Sequence, residues 1–112
     1  MSTKTIQVRA VLVEEANCCE AQCLEYDIAA QAPSRAALLR ELQRVLISHL
    51  VVSRELGREP FKNLPRAPQR YWDMFNAAEV QVPNDEVSSS SSPAGLPTVV
   101  THVRVAQPVV AA

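Results

Sequence analysis

The stretch from Pro33 to Gly57 constrains this chain more than any other part of it. Pro33-Ser34 supplies a stop followed by a hydroxyl able to accept an orphan backbone N–H of a first helical turn. Gly57 can take the left-handed conformation that closes a helix without a Cβ penalty. Between them Leu38, Leu39, Leu42, Val45, Leu46, His49 and Leu50 recur at i, i+3, i+4 and i+7, while Arg40, Gln43, Arg44 and Ser48 fall mainly elsewhere. The spacing predicts a helix that opens at Arg35 and carries one broad apolar stripe. Such a stripe must be buried against another element, and the residues before the helix offer a sheet.

From Thr5 to Glu15 the run TIQVRAVLVEE is rich in β-branched residues, with Ile6, Val8, Ala10 and Leu12 on one face and Val11 and Val13 on the other. The polar turn Glu14-Glu15-Ala16-Asn17 follows, and Cys19, Ala21 and Cys23 then alternate with Glu20 and Gln22. A β-hairpin is expected. After a second polar interruption, Glu25-Tyr26-Asp27, the residues Ile28 to Ala32 suit a short third strand.

Beyond the helix, Pro60, Pro65 and Pro68 exclude a continuous helix or an interior strand from 58 to 68. Pro68 can open a second, shorter helix, QRYWDMFNAAE, with Tyr71, Trp72, Phe75 and Ala78 on one side. Val80 to Val82 can add a few extended residues. Residues 83–97 hold five consecutive serines and three prolines and read as a flexible linker. TVVTHVRVA, Thr98 to Ala106, alternates again and is expected to return to the sheet as a last strand. The fold class is therefore α+β: a small antiparallel sheet in β-β-β-α order covered by one long helix, with a second short helix and a C-terminal strand. The expected division is a domain over 1–82, the linker over 83–97, and a strand and tail over 98–112.

With 112 residues, 47% of them hydrophobic, there is room for one domain with a modest core and no staples. The formal charge of -1 provides no global field towards nucleic acid or an anionic membrane. No run approaches the ~18 apolar residues of a membrane span, and the polar start Met1 to Gln7 lacks a signal-peptide pattern. Cys18, Cys19 and Cys23 are odd in number and too close for a disulfide framework. A soluble protein of the reducing cytoplasm is expected.

The order strand, strand, strand, helix, in the phrasing VRAVLVEEANCCEAQCLEYDIAAQAPSRAALLRELQRVL, resembles the N-terminal domain of HicB-type antitoxins. In that family a hairpin leads through a polar bend into a short strand, and a small polar cap opens the long helix. The resemblance covers roughly residues 6 to 50. It implies a reduced ribonuclease-H-like sheet, oligomerisation (a homodimer in the first instance) and the capping of a partner protein, a small RNA-cleaving toxin. The helix-turn-helix or ribbon-helix-helix that such antitoxins commonly carry after this domain has no counterpart here, which puts operator DNA binding in doubt.

An active ribonuclease-H-type site needs carboxylates converging from the first strand, the helix and a later strand to hold two divalent ions about 3.5–4 Å apart. The centre of the first strand offers Ala10 and Val11, the last strand offers no acid, and Glu41 on the helix stands alone. No catalytic residue, metal site or cofactor is expected. The cysteines with His49 and His102 are zinc-ligand types, but neighbours on a strand point to opposite faces and no CxxC pair occurs. Cys19 and Cys23 read more simply as small core residues, with Cys18 near the turn. A Cys-His nucleophile pair has nothing in the sequence to activate its thiol. His49, inside the apolar stripe, reads as a hydrogen-bonded edge residue.

Four of the five aromatics, Phe61, Tyr71, Trp72 and Phe75, fall within fifteen residues. The plainer reading makes them a seal over uncovered sheet; the functional reading makes them a partner-binding patch, because Trp and Tyr are enriched in interface hot spots. Charge is uneven as well. Glu14, Glu15, Glu20, Glu25 and Asp27 stand without a basic neighbour, whereas Arg54, Arg58, Lys62, Arg66 and Arg70 outnumber the acids of their segment. Solvated faces are the ordinary explanation; two poles, one of them steering a basic toxin or a second copy, are the sharper one. The candidate partner-binding residues are thus Tyr71, Trp72, Phe75, Phe61, Glu20, Glu25 and Asp27. Two rival functions are a self-assembling subunit whose last strand augments a neighbour's sheet, and a nucleic-acid-binding module using segment 54–70 and Trp72.

Overall fold

The computed structural model describes residues 5–83 and 95–106; most of the expected linker, 84–94, lies outside the described residues, as do 1–4 and 107–112. The chain is α+β. Strands β1 (Thr5–Glu14), β2 (Cys19–Cys23) and β3 (Ala29–Ala32) precede helix α1 (Arg35–Glu55), and helix α2 (Gln69–Ala77) precedes β4 (Val80–Gln81) and β5 (Thr98–Val105). These form one five-stranded sheet in the order β3-β2-β1-β5-β4.

The hairpin and third strand pair antiparallel, with Ala10 opposite Cys23 and Ala21 opposite Ala30. The turn between β1 and β2 closes through a 2.8 Å bond from the Glu15 amide to the Cys18 carbonyl. β5 takes the other side of β1 and runs parallel to it, from Thr5 beside Thr98 to Leu12 beside Val105, so the sheet as a whole is mixed. The pairing is intramolecular: β5 is bound along its length by β1 and at its end by β4, where Val80 meets Val105 and Gln81 meets Arg104. The last strand thus returns to the sheet as its alternation predicts.

Helix α1 is closed at both ends by the residues expected to close it. The Ser34 hydroxyl accepts the Ala37 amide at 3.2 Å. At the other end Gly57 sits at φ 66°, its amide donating to the Arg54 carbonyl (3.1 Å) and that of Arg58 to the Ser53 carbonyl (2.8 Å). These two bonds make a Schellman motif. Leu38, Leu39, Leu42, Leu46 and Leu50 are buried, and Val45 is packed against them. Their partners are Val8, Ala10 and Leu12 of β1, Cys19, Ala21 and Cys23 of β2, Ala30 of β3, and Val103 and Val105 of β5. Small residues on β2 and β3 let the helix come close to that side of the sheet.

Residues 58–68 carry the chain from the α1 side to the opposite face. Phe61 (φ 60°) and Asn63 (φ 70°) adopt left-handed backbone within this crossing, and its later part is tied to the bend after β2: the Asp27 amide donates to the Pro65 carbonyl (2.7 Å) and the Ala67 amide to the Leu24 carbonyl (2.9 Å). Helix α2 then lies over the centre of the back face, where Phe75 packs with Val11 and Leu24. Among the described residues no helix is long and apolar enough to cross a membrane.

Leu42 is 1% exposed at the middle of the α1 contact. Leu42→Ala should cost about 3 kcal/mol of unfolding free energy in a denaturant titration, whereas Arg40→Ala, exposed on the opposite side of the helix, should change it by no more than about 0.5 kcal/mol. Equal effects would mean that α1 does not bury this stripe.

Candidate docking face on the back of the sheet

Strand alternation assigns every residue of the sheet to one of two faces. On the face away from α1, Val11 is opposite Gln22 and Val13 opposite Glu20, while Glu20 and Gln22 are opposite Gln31 and Ala29. On the other side of β1, Arg9 is beside His102 and Val11 beside Arg104. Helix α2 covers only the middle of this surface.

Under the helix, Phe75 is 5% exposed and joins Val11 and Leu24 in a small second core, with Tyr71, Trp72, Met74 and Ala106 packed at its margin. Towards β2 and β3 the face is uncovered. An open depression of about 290 Å³ lies there, lined by Val13, Glu20, Gln22, Ala29, Gln31 and Tyr71. Tyr71 forms its wall on the α2 side. The neighbouring Trp72 is half-buried and anchored by its indole N–H, which donates to the Ala67 carbonyl at 3.2 Å.

Each ring on this face has a guanidinium beside it. The Cζ atoms of Arg9 and Arg66 stand over the Trp72 ring at 4.7 and 4.3 Å from its centroid. Arg70 stands over Tyr71 at 4.7 Å and Arg104 over Phe75 at 4.4 Å. A cation over a ring face is attracted by the ring quadrupole, a contact worth roughly 0.5–1 kcal/mol at an exposed site. Arg9 is itself held in place, because Glu25 accepts its backbone N–H and its Nε–H, both at 2.7 Å. Glu25, Arg9 and Trp72 thus form a chain that fixes the indole relative to β1.

The candidate residues divide. Tyr71 and Trp72 are half-exposed on the back face, Glu20 is exposed in the depression, and Glu25 reaches the same neighbourhood through Arg9. Phe75 is core. Asp27 is exposed and accepts the Gln22 side-chain amide at 2.8 Å. Phe61 belongs elsewhere: it is 4% exposed in the α1-side core, stacked on Tyr26 with centroids 4.5 Å apart, with His49 at 6.1 Å. The crossing separates Phe61 from the α2 aromatics, so the sequence cluster is not a spatial one. The two charged segments are also not separate poles along their length. Residues 24–27 of the acidic run are hydrogen-bonded to residues 65–67 of the basic one, and Arg9, Arg66 and Glu25 gather around Trp72.

Two residues that matter here were not singled out from the sequence, Arg9 and Arg104. Each is a polar break in an alternating strand, which is the available signal. Their meeting with the α2 rings depends on the register of two strands far apart in the chain.

Among the described residues no group of three His, Cys, Asp or Glu side chains is placed to hold a metal ion. All three thiols are free. Cys19 and Cys23 lie in the α1-side core, and burial pushes the Cys23 thiol up to about 12, with the Glu25 charge adding to the effect; burial first, and Glu14 next, also raise Cys19. Cys18 is half-exposed beside the turn, its sulfur 2.8 Å from the Gln31 side-chain amide. Comparison with family models, with curated proteins and with solved structures returns no match.

In the native protein at mildly alkaline pH, a thiol reagent should modify Cys18 and leave Cys19 and Cys23 untouched until denaturant is added; fast labelling of all three would contradict the burial described here. Because the folded Cys23 pKa of about 12 lies above its ordinary 9.0, its neutral thiol supports the fold fully below pH 9. That support fades as pH rises towards 12, where the unfolded chain loses the proton first. Glu25→Gln should lower stability by about 1 kcal/mol and shift the emission of Trp72. An unchanged emission spectrum would show that Arg9 does not position the indole.

Proposed function

We propose that this chain is a non-catalytic protein-binding domain of HicB-like type, which works by covering a partner protein. The resemblance implies a small RNA-cleaving toxin as that partner, and a homodimer acting in the cytoplasm as the working form. The observation that carries the binding reading is the half-covered back face. Tyr71 and Trp72 stand half-exposed at the rim of an open depression, on a rigid sheet whose other face is already closed by α1. Interface hot spots are rich in Trp, Tyr and Arg set beside a pocket, and all three types meet at this rim.

The hairpin, bend, short strand and capped helix, β1-β2-β3-α1, follow the order the resemblance implies, and this supports the HicB-like reading at the level of the fold. Nucleic-acid binding is the weaker alternative. Two guanidiniums already stand over the Trp72 ring on which a base would stack.

The test is capture of the protein encoded by the adjacent gene. A tagged copy of that protein should retain this chain on a column, and Tyr71→Ala with Trp72→Ala should abolish retention at a temperature where circular dichroism still shows the variant folded. Failure to bind any genomic neighbour, together with a monomer in sedimentation analysis, would overturn the reading.

A further inference from the structure

The arginines around α2 pose a question of charge. Arg9 has its carboxylate in Glu25, Arg35 in Glu14, and Arg44 in Glu41. Arg66, Arg70 and Arg104 have none among the described residues: their contacts are the rings of Trp72, Tyr71 and Phe75, the Tyr71 hydroxyl (3.1 Å from Arg70) and the Phe75 carbonyl (3.2 Å from Arg104). Arg66 and Arg70 are exposed. A guanidinium carries five N–H donors, and a ring face or one neutral acceptor uses few of them. The planar forks stay available for carboxylates.

From this geometry we infer that the Tyr71–Trp72 face takes an acidic segment of a protein partner, its carboxylates meeting Arg66 and Arg70 and an apolar side chain entering the depression beside Tyr71. The inference rests on the protein-binding reading and specifies its partner surface. It also reverses the sign expected from the acidic run in the sequence, because the face that carries the aromatics is basic.

A carboxylate-bearing peptide fits better than a nucleic acid on two counts. Glu20 lines the depression next to Tyr71 and would repel a phosphate chain continuing from the arginines. The Trp72 ring is already attended by two guanidiniums, which occupy the place where a base would stack. A segment with a few carboxylates and an apolar residue meets both halves of the face: cationic forks on the α2 side, and Val13 and Ala29 on the floor beyond.

Trp72 is the only tryptophan and so reports on this face directly. Emission of the full-length protein would be titrated with a short glutamate–leucine peptide, with its lysine–leucine counterpart, and with oligouridylate of matched charge. The glutamate peptide should give a saturable change that weakens as salt is raised, since exposed charge pairs are screened over about 8 Å at physiological ionic strength. Arg66→Gln with Arg70→Gln should weaken its binding roughly tenfold, whereas Arg40→Gln with Arg58→Gln, also exposed but on α1 and after its end, should leave it unchanged. No saturable change, equal binding of the lysine peptide, tighter binding of oligouridylate, or an unaffected Arg66/Arg70 double variant would each overturn the inference. Capture of the adjacent gene's product that requires Tyr71 and Trp72 but survives the Arg66/Arg70 substitutions would do so too, while leaving the protein-binding reading in place.

Discussion

The structure depends on the parallel pairing of β1 with β5. Without it β1 would be the edge of a three-stranded meander, with Val8, Ala10 and Leu12 under α1 but one row of backbone donors and acceptors unpaired. With it β1 is the central strand, covered above by the leucines of α1 and below by Phe75 of α2. Parallel neighbours cannot be joined by a tight turn and need a long excursion between them. Here that excursion runs through β2, β3 and both helices, so closing the pair fixes nearly every other element. β4 follows as a consequence, since it has only the far end of β5 to pair with.

The two faces of this sheet are built differently. Against α1 the sheet presents apolar and small side chains apart from Thr101 and, at its margin, Glu14, which pairs with Arg35 of the helix; the buried thiols are part of that packing. Against α2 it presents a strip of contact one helix wide, with Arg9 and Arg104 on its flanks and Gln22, Gln31 and Glu20 beyond. Burying the α1 stripe supplies most of the apolar area a chain of this size can remove from water. The second helix then needs only Phe75 and the edges of Tyr71, Trp72 and Met74 to stay in place. This leaves much of those rings, and the arginines upon them, on the surface.

What could be read from the sequence was what depends on neighbours in the chain. The cap at Ser34, the stop at Gly57 and the leucine stripe between them involve contacts within a few residues, and each appears at the position its chemistry dictates. Strand alternation likewise placed Cys19 and Cys23 inside and Cys18 at the turn. The direction and register of β5 were not readable, because an alternating valine strand pairs equally well either way and its partner lies about ninety positions earlier. That register places Arg104 beside Val11 and so next to Phe75, and the docking of α2 on β1 brings Trp72 to Arg9, so the basic character of the back face stayed hidden. Phe61 misled for a related reason. Closeness in sequence to Tyr71 and Trp72 suggested a cluster, but left-handed backbone at Phe61 and Asn63 belongs to a crossing that takes the chain from one face of the sheet to the other.

That crossing also explains why an acidic run and a basic run so near in space do not simply neutralise each other. The backbone bonds from Asp27 to Pro65 and from Ala67 to Leu24 set the two segments side by side by main-chain geometry, whatever their side chains carry. Within that arrangement Glu25 is turned towards β1, where it is consumed by the backbone and side chain of Arg9. Asp27 is turned towards Gln22. These two acids of the bend are thereby committed to the sheet, and Arg66 and Arg70 are left to the rings of α2. The surface charge of the face follows from which acids the sheet has already engaged rather than from the balance of charges in the sequence, and this is how a chain of net charge -1 can present a cationic, aromatic-lined surface beside an unfilled depression.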